Sequence, residues 1–219
     1  MEGMNATQAA NNAISDLDTI LTLPRGLSAM SIANEARDTG LSFINESTYW
    51  GKAQLALWLM GPFEHLSRHA AAGRARSGVT RKPIMLRDID ARVVDRVIAT
   101  AREEVLQTLG RLSDPHLATE FVYGMLAANF VLRCEDARHA VGWVPTGEAR
   151  RLADHVLSLF AVDLLCRPED YEHELFVCPA CENVVFDAGA RDRGVCFHHS
   201  SIITIGEGPS TLPDLPEGA

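Results

Sequence analysis

The spacing of apolar residues over the first 167 positions predicts consecutive helices. Between residues 5 and 21, Ile14, Leu17, Ile20 and Leu21 recur at helical intervals, and Pro24 follows as a stop. Ser28 can cap a short helix that ends before Gly40, a residue suited to the left-handed conformation found after helices. The stretch 42–60 is rich in large apolar residues (Trp50, Leu55, Leu57, Trp58, Leu59), and Gly61-Pro62 breaks or kinks it before a further turn or two toward Ala72. Asp88 caps a long helix over 89–109, with Val93, Val97 and Ile98 on one face and Gly110 at its end.

Ser113-Asp114-Pro115 reads as a helix start, with Pro115 near the first helical position. The helix expected after it, through residue 134, is apolar on most sides (Phe121, Val122, Met125, Leu126, Phe130, Val131), the mark of a buried bundle centre. Asn129 within it reads as a core amide with its hydrogen bonds satisfied, and Cys134 and Cys166 as small core residues. Thr146 caps a last helix over 147–166, and Pro168 ends it. No repeat and no β-type alternation stands out before residue 174. About six helices around one core is the expected architecture.

Beyond Pro168 the texture changes. Leu175-Phe176-Val177, Val184-Val185-Phe186 and Val195-Cys196-Phe197 are short β-type runs. Residues 206–219 hold three prolines and three glycines and read as a flexible tail. The expected division is therefore a helical domain over 1–167, a small module over 168–205 and a tail over 206–219, with the boundary between 168 and 174.

Composition narrows the class. Hydrophobic residues make up 47% and charged residues 22% of the 219, which suits a globular chain. The longest apolar run, 121–132, is interrupted by Asn129 and falls short of the roughly 20 residues that cross a bilayer. Met1-Glu2-Gly3-Met4-Asn5 carries neither basic residues nor an apolar stretch, so a cytoplasmic protein is expected. Only Lys52 and Lys82 are lysines among 20 basic residues, a bias that fits a GC-rich bacterial genome.

Charge is unevenly placed. Residues 168–219 hold ten acids against Arg191 and Arg193, a balance of −8, out of −9 for the whole chain. Such a surface repels phosphate backbones. Between Glu64 and Asp88, by contrast, lie Arg68, Arg74, Arg76, Arg81, Lys82 and Arg87 with no acid among them. This basic stretch can bind an anion or a partner, though it lacks the interleaved aromatics of a base-stacking surface.

One constellation carries clear chemistry. Cys178-Pro-Ala-Cys181 is followed, after fourteen intervening residues, by Cys196-Phe-His198-His199. Three thiolates and an imidazole make the four-ligand set that tetrahedral zinc takes, and His199 repeats the spacing of the first pair, with His198 the alternative fourth ligand. One structural zinc per chain is the expectation. A unit of some 30 residues rarely folds without such a staple. An open catalytic zinc is disfavoured, because Glu182 is the only nearby carboxylate on these turns.

With its Cys178–Cys181 knuckle, short strands and second knuckle at 196–199, this segment resembles a zinc ribbon. Glycine often follows the second ligand of such knuckles; here Glu182-Asn183 follows, and Asn183 is expected to take the left-handed turn. The fold class expected is thus mainly α: a multi-helix, bundle-like N-terminal domain, then a zinc-ribbon β module and a flexible tail. The first function expected is a non-enzymatic adaptor or regulator, its acidic ribbon binding another protein and melting alone when zinc is lost. A second is a nucleic-acid- or transcription-associated regulator that uses the basic stretch 68–87. A third is a metal-dependent helical enzyme built on His65 and His69, with companions from His116, Glu120, Asp136, His139 or His155.

Overall fold

The computed structural model describes residues 20–23, 25–46, 91–146, 148–149 and 151–199. Expectations for the helix over 5–21 before Ile20, the stop at Pro24, the apolar stretch after Glu46, the cap at Asp88 and the tail fall outside the described residues. Among those described, the chain is mainly helical, with two small sheets. In chain order it runs β1 (Leu21–Thr22), α1 (Ala29–Glu46), α2 (Ala91–Leu109), α3 (Pro115–Ala127), β2 (Val131–Glu135) and β3 (Val141–Pro145). It continues through α4 (Leu152–Cys166), α5 (Pro168–His173), β4 (Leu175–Val177), β5 (Val184–Phe186) and α6 (Ala188–Arg193). Among the described residues no helix is long and apolar enough to cross a membrane.

Helix α1 starts where Ser28 predicts. The Ser28 hydroxyl accepts from Ser31 N–H at 3.0 Å, and Ser31 Oγ accepts from Ser28 N–H at 3.1 Å, a reciprocal cap. The helix does not stop at Gly40 but runs through it to Glu46. Gly40 faces Phe160 of α4, and a Cβ there would sit 2.9 Å from two ring atoms. Its function is close approach of two helices, and tertiary packing overrides its weak helix propensity.

Helix α4, and not α3, is the buried centre. Every residue from Val156 to Leu164 is buried, and α4 packs against α1, α2 and β3. Helix α3 begins as its sequence predicts, with Asp114 Oδ1 accepting from His116 N–H at 2.8 Å and Pro115 in the first turn. It has no fully buried residue, however, and only one side of it packs on the core. In α2 the inward positions are Val94, Ile98, Ala101, Val105 and Leu109, whereas Val93 and Val97 are exposed.

The helix expected through residue 134 ends at Ala127. Asn129 takes φ 58, the left-handed conformation that asparagine tolerates better than most residues, and its carbonyl accepts from the Thr146 hydroxyl at 2.7 Å. It is exposed and turns the chain, so it is no core amide. The chain then forms the antiparallel pair β2–β3, with Cys134 opposite Gly142, and β1 joins β2 in parallel. Asp136 closes the loop by accepting from Arg138 and Ala140 N–H groups. Thr146 ties this hairpin to Asn129 and caps no helix; α4 begins at Leu152. Pro168 stops α4 and also opens α5.

A buried ionic node locks α1, α4 and α5 together. The fully buried Asp163 accepts from Arg37 Nε at 2.7 Å, Arg167 Nε at 2.8 Å and the Tyr171 hydroxyl at 2.8 Å. Arg37 also donates to Asp170 at 2.6 Å and lies 4.0 Å over the Phe186 ring, while Arg167 reaches Asn34 at 2.8 Å. Burial, then the Asp163 charge, holds the Tyr171 phenol well above its ordinary value, so it stays a proton donor. Tyr171, Leu175 and Val184 belong to the same hydrophobic core as α1 and α4. The C-terminal hairpin thus rests on the helical core.

Candidate metal centre

Strands β4 and β5 form where the sequence predicts, with Leu175 opposite Phe186 and Val177 opposite Val184. The turn joining them carries Cys178 and Cys181. Cys178 N–H donates to the Asn183 carbonyl at 2.9 Å, and Glu182 N–H donates to the Cys178 carbonyl at 2.7 Å. The residue that takes the left-handed conformation is Glu182, at φ 58, and not Asn183. The reason is local: the tight bond from Glu182 N–H back to Cys178 places the chain reversal at 182, and Asn183 then directs its carbonyl to Cys178.

The third β-type run, Val195-Cys196-Phe197, is no strand. Helix α6 precedes it, capped by Asp187 Oδ1 on Gly189 N–H at 2.8 Å and ended by Gly194 at φ 70. Cys196 and His199 then share a tight turn, with His199 N–H donating to the Cys196 carbonyl at 2.9 Å. Residues three apart on such a turn share a face. His199 is therefore carried toward Cys196, whereas His198 is exposed with its ring edge-on to Phe197.

One ligand atom from each of Cys178, Cys181, Cys196 and His199 lies within 4.8 Å of every other, so the four could hold a metal ion. Cys181 Sγ is 3.7 Å from Cys196 Sγ; His199 Nδ1 is 3.7 Å from Cys178 Sγ and 3.2 Å from Cys196 Sγ. Bond lengths of about 2.3 Å to sulfur and 2.0 Å to nitrogen in a tetrahedron imply edges of about 3.8 Å between sulfurs and 3.6 Å from sulfur to nitrogen. These three separations lie near those edges, the sulfurs of Cys181 and Cys196 are far too distant for a disulfide, and all five cysteines are free.

The electrostatics suit a cation. Burial pushes the Cys178 thiol up, but backbone N–H groups of Cys196, Ala180 and Cys181 outweigh it and bring it down to about 6. Burial and then its sulfur neighbours push Cys181 up to about 11. The site thus favours one thiolate, and a second resists forming beside it unless a positive ion joins them. Metal ligation displaces the remaining protons, so affinity should rise with pH. Lowering the pH from about 8 to about 5 is expected to weaken metal binding steeply, because Cys181, at about 11, must give up its proton across the whole range and Cys178, at about 6, becomes protonated near its lower end. A chelator competition giving equal affinity at both ends would contradict thiolate ligation.

Among the described residues the other candidates form no second cluster. His65, His69 and the basic set Arg68, Arg74, Arg76, Arg81, Lys82 and Arg87 lie outside the described residues. Of their suggested companions, His116 pairs with Glu120 on the surface of α3, His139 contacts Glu135, and Asp136 holds backbone N–H groups. Among the described residues no second group of three or more His, Cys, Asp or Glu side chains gathers. Glu182 turns its carboxylate to Arg102 at 2.6 Å. Cys134 is buried, and that burial, with Cys166 near it, pushes its thiol up to about 12, so it remains an unreactive core group.

Sequence reading missed Arg102 and Asn45, which hold this site from outside. Asn45 bonds both the N–H and the carbonyl of Val184, and Arg102 joins Glu182 to the Ile44 carbonyl. No local pattern marks either residue, since both contacts span the fold. No protein-family model, curated protein or solved structure matches the chain.

Proposed function

We propose that the chain is a non-enzymatic adaptor or regulatory protein whose C-terminal module is shaped by one structural zinc and docks another protein. The reading rests on the set of three sulfurs and one imidazole nitrogen gathered within 4.8 Å of one another. Sulfur-rich tetrahedral sites suit zinc, and four protein ligands leave no position for a substrate. The hairpin knuckle at 178–181 supports the likeness to a ribbon. Phe197, 73% exposed beside the second ligand pair, is the natural contact residue, and exposed Glu169 and Glu172 on α5 supply acidic surroundings.

Two measurements test the proposal in turn. Metal analysis of the full-length protein should give one zinc per chain, lost with Cys178→Ser and Cys181→Ser. Zinc retained by that double variant would dismiss the site. Capture from the native host should then recover protein partners that Phe197→Ser, which keeps every ligand, fails to hold. Identical partners with both baits would remove the docking function from this surface.

A further inference from the structure

We infer that Asn45 and Arg102 form an outer seat that presets the first half of the metal centre, coupling metal affinity to α1 and α2. The inference rests on the metal reading above and adds which residues outside the ligand set govern it.

Val184 opens β5 and follows the knuckle directly. Its N–H donates to Asn45 Oδ1 at 2.9 Å, and its carbonyl accepts from Asn45 Nδ2 at 3.0 Å. One side-chain amide thereby makes the two bonds that a neighbouring strand would make along the hairpin edge. Arg102 on α2 donates from Nη1 to Glu182 Oε2 at 2.6 Å and from Nε to the Ile44 carbonyl at 3.1 Å. A single guanidinium therefore joins α1 to the residue that turns the knuckle.

That residue is the point of leverage. Glu182 adopts a left-handed conformation that side-chain-bearing residues seldom take, and its N–H closes the turn onto Cys178. Held at Glu182 by Arg102 and at Val184 by Asn45, the turn presents Cys178 and Cys181 already oriented. Cys196 and His199 arrive on a separate turn. Outer contacts that orient ligands typically tune metal affinity by about 10–100-fold. By linkage, the metal must in turn tighten the seat.

The test uses the full-length protein with zinc in competition with a chromophoric chelator, and cobalt as a spectroscopic substitute. Arg102→Met and Asn45→Ala should each weaken zinc binding by about 10-fold, while the cobalt spectrum keeps its wild-type band shape because the ligands are unaltered. Amide exchange around Ile44 and Asn45 of α1 should slow on zinc addition in the wild type and respond less in Arg102→Met. Should Asn45→Ala fail to fold, Asn45→Asp serves, since it keeps the size and the acceptor but loses the donor. Wild-type zinc affinity in these variants would overturn the inference while leaving the metal site in place. Failure of the wild type itself to bind zinc would overturn both.

Discussion

Chelating the zinc-loaded protein is expected to strip exchange protection from the turn at 178–183 and from residues 188–199 while β4, β5, α1 and α4 stay folded, and to lower global stability. With metal at 1,000 times its Kd the loss is about 4 kcal/mol. The effect should divide this way because the two halves of the site are anchored differently. Leu175 and Val184 of the hairpin are buried in the main core with Tyr171, so β4 and β5 keep their seat without metal. The segment after β5 has less to hold it: in α6 only Ala190 is buried, and the turn carrying Cys196 and His199 meets the first knuckle through the four candidate ligand atoms. The expectation from sequence that a separate ribbon melts alone is thereby narrowed to the turn at 178–183 and the segment from α6 to His199. Peptide-level exchange with and without chelator decides it. Uniform loss of protection across α1 and α4 would mean that the metal supports the whole core, and no change at 178–199 would mean that it supports nothing.

The second large effect is expected at Asp163. Replacing it with alanine should destabilise the fold by about 3–5 kcal/mol, the range for removing one partner of a buried ion pair. Asp163 is fully buried and accepts from two arginines and a tyrosine. Without it Arg167 loses its carboxylate and, among the described residues, Arg37 keeps Asp170 and the Tyr171 hydroxyl keeps the Phe160 carbonyl at 3.1 Å. The penalty comes chiefly from stranding desolvated groups; the intact pair need not add much net stability. Chemical denaturation of Asp163→Ala against the wild type reads the difference. A loss below about 1 kcal/mol would show that water or repacking satisfies the arginines, as it does for exposed pairs.

The metal ligands were the most legible feature because their geometry is local. Each pair sits on one tight turn, so C-x-x-C and C-x-x-H spacing suffices to bring two donors together. The choice of His199 over His198 needed the turn itself, which sends neighbouring side chains in different directions. The hairpin at 131–145 was illegible for a different reason. Val131-Leu132 continues the apolar run of α3, and neither strand alternates in a way that separates it from a helix. Asn129, a residue that tolerates positive φ, was the available signal of the break.

By itself, then, the sequence determined the mainly helical character of the chain, the starts of α1 and α3, the two short strands of the C-terminal hairpin and the three cysteines that, with a neighbouring histidine, can hold a metal. All of these depend on contacts within a few residues. Only the tertiary structure decided that α4 and not α3 is central, since both are apolar and just one is enclosed by α1, α2 and β3. It alone turned Gly40 from a helix stop into a contact with Phe160, gathered Arg37, Asp163 and Arg167 from distant positions, and seated the metal turn on Asn45 and Arg102. These outcomes depend on which surfaces meet across the fold, and no local propensity contains that information.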